Sequence, residues 1–176
     1  MMTGCGCGYG PWGTADQPIP IQIGRVQNLA SLPTPVLRTI LFITQGDNLD
    51  VFFRAYRDVV YPPDCSGGCG PCNPDFPFGI GSGPQILTGL IGAGTIRTAL
   101  GVPFTYDLDV FVDQTGAGSP TRGNVQVTAS GVQTRLFPGF GVWDLQISNN
   151  TDNLRKTLVE GPIEYTRVTT LTPNPI

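Results

Sequence analysis

Along residues 49–56 the apolar Leu49, Val51, Phe53 and Ala55 alternate with Asp50, Phe52, Arg54 and Tyr56. A period of two puts the first set on one face of an extended chain, so the pattern predicts a half-buried β-strand. A helix over residues 49–60 would also gather Val51, Phe52, Ala55, Tyr56 and Val59. β-Branched and aromatic residues dominate the segment, however, and they favour the strand. Residues 37–60 then read as two strands around a Gln45-Gly46-Asp47-Asn48 turn. The alternation returns in residues 104–112, where Tyr106, Leu108, Val110 and Val112 oppose Asp107, Asp109 and Phe111. Residues 95–99 read as its strand partner, and residues 124–128 as a further strand. In residues 133–170 the positions Thr134, Leu136, Gly139, Trp143-Asp144-Leu145, Gly161 and Val168-Thr169 mark a turn, a strand, a loop and a final strand. Trp143 is expected in the core, with its strand at the centre of one sheet. Short strands at regular spacing with Gly-rich turns predict an all-β fold, an antiparallel β-sandwich of Ig-like or jelly-roll-like kind.

Three segments break the alternation. Residues 1–36 are rich in Gly and Pro, and Pro18, Pro20, Pro33 and Pro35 favour extended backbone over helix or central strand. Yet Trp12, Ile19, Ile21 and Ile23 are too apolar for a free tail, and the three isoleucines share one side of an extended segment. They read as the interface residues of an N-terminal arm lying in a groove, on its own domain or on a neighbour. Residues 61–84 form a second break, a Cys/Gly/Pro-rich loop inserted into the domain of residues 37–170. Residues 171–176 are a short Pro-bearing tail.

Composition narrows the function classes. At 176 residues one domain with its own core is expected. Only 13% of residues are charged, about half the usual share. A surface that poor in charge suits a chain whose faces are covered by other subunits. The net charge is −3 and Lys156 is the only lysine, which argues against a nucleic-acid partner. There is no histidine, so Ser-His-Asp, Cys-His and HExxH chemistry is excluded. No carboxylate pair suggests acid–base work, and an enzyme is not expected. No apolar run reaches membrane-spanning length, and the N-terminus lacks the pattern of a signal peptide. Synthesis in a host cytoplasm, with no membrane partner, is the expectation.

Two motifs invite a chemical reading. Gly92-Ala-Gly94-Thr-Ile-Arg97 imitates a dinucleotide-binding turn, but position six is Arg97 and Gly101-Val102-Pro103 would stop any helix that followed. A strand containing glycines is the better account. The cysteines are the chemically distinctive set. Cys65, Cys69 and Cys72 sit in one loop, and Cys5 and Cys7 near the N-terminus. Clustered thiolates on Gly-rich backbone could hold zinc or an iron–sulfur cluster, although the usual second Cys-x2-Cys knuckle is missing. Disulfides pinning arm to loop are the alternative reading, and unpaired thiols a third. Five is odd, so at least one thiol stays free or bonds between chains.

The order of short motifs carries a resemblance. Gln45-Gly46-Asp47, Leu87-Thr88-Gly89, Ile96-Arg97, Thr134-x-Leu136, Gly139 to Leu145 and Gly161 to Thr169 follow one another as in a β-sandwich family of tailed bacteriophages. The Thr/Leu spacing is one residue short, and the arm and Cys loop are additions. The stretch from about residue 40 to 170 resembles the N-terminal domain of upper baseplate proteins and small virion proteins. The resemblance implies a structural, non-enzymatic virion component of tail or baseplate, or alternatively a capsid decoration protein. Other virion proteins would be its partners, and a trimer or hexamer ring its assembly. The alternative from another class is a Cys-liganded metal-binding module.

Overall fold

The computed structural model describes residues 13–16, 18–24, 36–57, 83–98, 105–149 and 155–168. Within them lie nine strands: β1 (Ile19–Gln22), β2 (Leu37–Arg38), β3 (Leu41–Thr44), β4 (Leu49–Tyr56), β5 (Leu90–Arg97), β6 (Thr105–Val112), β7 (Asn124–Ala129), β8 (Val142–Asn149) and β9 (Arg155–Thr166). One helical turn, α1 (Gly131–Thr134), separates β7 from β8. Ser130 caps it by accepting the Gln133 amide, and the Gln133 side chain accepts the Ser130 amide in return.

The strands join in the order β1-β4-β7-β6-β5-β8-β9-β2, with β3 also on β9. They form one mixed sheet rolled into a near-closed barrel. The all-β expectation holds. The pairing is not purely antiparallel, because β1 runs parallel to β4, and β2 and β3 run parallel to β9. Both departures come from N-terminal segments that return along an existing strand rather than folding back in a hairpin. The 45–48 turn lies where the sequence puts it, but the strands it joins separate. β3 follows β9, while β4 pairs with β7.

β6 turns the corner of the barrel. Residues 105–108 pair with β5, and residues 109–112 with β7. Gly92 and Gly94 permit this, since a Cβ at Gly92 would run into Val110 and one at Gly94 would crowd Leu108. The Gly-Ala-Gly motif therefore lies inside a strand.

Inward positions of the strands build one core, including Phe53, Val125, Val127, Ile96, Trp143, Leu145 and Ile147. The alternation read in β4 and β6 matches the observed burial except at Tyr56, which is buried at the end of β4. Trp143 packs on Phe53 across the interior with ring centroids 6.1 Å apart. Its strand, β8, lies between β5 and β9.

Candidate functional site

Of the residues predicted to act at an interface, Ile19, Ile21 and Ile23 lie on or just beyond β1, and Trp12 lies outside the described residues. Ile21 and Ile23 are fully buried in the chain's own core. This segment thus lies in a groove of its own domain. The Ile23 amide donates to Tyr56 O at 2.8 Å, and by alternation the amides of Ile19 and Ile21 also face β4. Positions 18 and 20 face away, where proline's missing donor costs nothing. Gly13 adds one more tie, its carbonyl accepting the Phe52 amide at 3.0 Å.

The seam that closes the barrel lies between β1 and β9. Lys156 spans it, donating Nζ to Ile23 O at 3.0 Å. Burial of the ammonium lowers the Lys156 pKa from the ordinary lysine value.

Two junctions hold the barrel ends, and both use residues of the motif series. At the first, the buried Thr134 hydroxyl donates to Asp47 O at 2.9 Å and accepts the Gly46 amide at 3.1 Å. Asn48 Oδ1 accepts the Gly131 amide at 2.8 Å, and Tyr165 donates its hydroxyl to Thr134 O at 2.9 Å. The turn at 45–48, α1 and β9 are locked together. At the second, Trp143 Nε1 donates to Thr39 O at 3.1 Å. Gly161, which pairs with Trp143, lets Thr39 come close, since a Cβ there would collide with the Thr39 carbonyl.

The outer face of β5, β8, β9 and β2 carries a row of polar contacts. Asp144 has both carboxylate oxygens engaged. Oδ2 pairs with Arg97 at 2.5 Å, while Oδ1 accepts from Thr95 at 3.1 Å and Gln146 at 3.2 Å. Its cross-strand neighbour Glu160 pairs with Arg38 at 3.2 Å. Carboxylates so occupied form a ladder and are poorly placed to move protons. Two residues along, Val142, Pro162 and Ile40 make an exposed apolar row. Further exposed apolar side chains, Leu136 at 65% and Phe140 at 58%, stand in the loop before β8. A groove of about 220 Å³ lies beside the 45–48 turn, lined by Phe42, Thr44 and Asp50 among others. The Asp50 carboxylate there accepts from Gln126 at 2.8 Å. Asp107 and Asp109 are exposed on β6.

Cys5, Cys7, Cys65, Cys69 and Cys72 lie outside the described residues. Among the described residues no group of three or more His, Cys, Asp or Glu could hold a metal. The ends of the Cys-loop region are described and lie together. Gln85 donates its amide to Ala55 O at 2.9 Å, and Pro84 bridges Tyr56. Thr39 and the cap Ser130 were missed in the sequence, and Thr134 was read as a turn and motif residue but not as a clamp. Ser130-x-x-Gln133 is a capping-box signature and was the one available signal.

No family model matches the chain, and no curated protein matches it. Among solved structures it overlaps the N-terminal domain of phage TP901-1 ORF48, with a TM-score of 0.38 and 8% sequence identity. The overlap covers 84% of this chain and 97% of that one. At that score and identity the likeness assigns no role to this chain.

Proposed function

We propose that this chain is a non-enzymatic structural component of a tailed-phage virion, acting in tail or baseplate assembly by docking neighbouring subunits. The observation that carries the reading is the motif order seen in the sequence. Several of its members meet at the two barrel junctions, Gly46 and Asp47 with Thr134, and Trp143 with Gly161. Motifs that hold a fold together speak for a shared fold, and the role is carried over with the resemblance. The low charge and the exposed Leu136, Phe140, Val142 and Ile40 support a surface made for other subunits.

Labelling a tagged copy on intact particles by electron microscopy tests this. Label at the tail end is the expected result. Label over the capsid would favour the decoration alternative, and particles free of the protein would refute both.

A further inference from the structure

We infer that β1 is exchanged between copies, the segment of residues 18–24 from one chain completing the barrel of the next. This deepens the assembly reading and rests on it. The groove that receives β1 has a defined chemistry. It offers the β4 edge from Phe53 to Tyr56, apolar space for two side chains at alternate positions, and the Lys156 ammonium at its end. Such an edge takes up an extended segment by main-chain bonding, with alternate side chains giving selectivity. Residues 18–24 fit by burying Ile21 and Ile23 in the core, while the prolines at 18 and 20 fall where the β4 edge asks for no amide.

The position of β1 makes exchange possible without dismantling the barrel. It is bonded to β4 on one side, and across the seam Lys156 holds its end. No other strand has to part for it to leave. Among the described residues it precedes every other strand, so none of them has to be threaded. Gly24 and Val36 are twelve residues apart, an extended reach of about 40 Å. That is enough to carry the segment to an adjoining barrel. Exchange restores each contact it breaks, so local concentration decides between closed and exchanged forms. Passing the strand head to tail closes into a ring where the rotation permits. An emptied groove would expose an open strand edge, which gives each copy a reason to remain filled.

The test uses the register partners Pro20 and Arg54. Chains carrying Pro20→Cys and Arg54→Cys, with the five native cysteines changed to serine, are made in heavy- and light-isotope forms. They are mixed in equal amounts while unfolded, refolded and oxidised, and the linked 20–54 peptides are weighed. Exchange predicts that about half of them join a heavy with a light chain. Linked peptides of pure isotope alone would overturn the inference. A second measurement needs no substitution. Excess synthetic peptide of residues 18–24 is added to the unmodified full chain, and native mass spectrometry follows the oligomer. Conversion of the oligomer to smaller, peptide-bound species is expected. An oligomer that takes up no peptide, or a chain monomeric from the start, would overturn exchange. Either result leaves the assembly reading intact if the tagged copy is still found on particles.

Discussion

The indole N–H of Trp143 donates to the carbonyl of Thr39, 3.1 Å away and 104 positions apart in sequence. The parallel register explains why that carbonyl is available. The Thr39 amide donates to Glu160 O, so its carbonyl would ordinarily accept from residue 162. Residue 162 is proline and has no N–H. Trp143 supplies the donor that the ladder lacks.

Replacing Trp143 with Phe keeps a ring in the core but removes the donor. Thr39 O is then left without a partner, and some volume is lost as well. A destabilisation of about 2–4 kcal/mol is expected. Urea unfolding of the two proteins measures it.

Gly161→Ala should be nearly as costly for a different reason. The added methyl meets the Thr39 carbonyl, which is backbone and cannot rotate away. About 3 kcal/mol is expected, the upper range for overpacking, with loss of the β2–β9 pairing. Gly116→Ala, with nothing within 4 Å, is the control and should change stability by less than about 0.5 kcal/mol. Thermal unfolding of both, with amide exchange at Thr39, distinguishes the cases.

At the other junction, Thr134→Val preserves shape but removes the hydroxyl. The Gly46 amide and Asp47 carbonyl lose their partner in a buried place, at a cost of about 2–3 kcal/mol. Thr134→Ser retains the hydroxyl and loses one methyl, costing about 1 kcal/mol. If the two substitutions were equally costly in denaturant titrations, the hydroxyl would not be the clamp.

Lys156 should make stability depend on alkaline pH. Its folded pKa lies below that of an unfolded lysine, so the unfolded chain binds more protons as pH approaches 10.5. Stability contributed at this site therefore rises with pH through that window. The wild-type urea midpoint should gain on that of Lys156→Met between neutral pH and about pH 10.5. A constant difference between the two across this range would count against a depressed pKa.

The elements that announce themselves locally were legible in the sequence. Leu49, Val51, Phe53 and Ala55 alternate because one face of β4 is core and the other is not, and β6 follows the same rule. Trp143 could be placed inside by its size and its strand context. The parallel partners of β1, β2 and β3 were not legible, because a period of two shows which face is buried but not which strand lies alongside. The 45–48 turn looked like a hairpin for the same reason. Thr134 stands in the motif order, but its role as a clamp shows only when Gly46 and Asp47 are brought against it. Of the candidate site, the isoleucine alternation was visible. That Ile21 and Ile23 are buried in their own barrel depends on the open β4 edge, for which the sequence carries no local signal.

β6 gives residues 105–108 to one side of the barrel and 109–112 to the other. Neither side can be completed before this strand is placed, so its docking commits both at once. The barrel should consequently fold and unfold as one cooperative unit, without a stable half. Many of its pairings join distant parts of the chain, which places folding in the millisecond-to-second range expected of non-local β topologies.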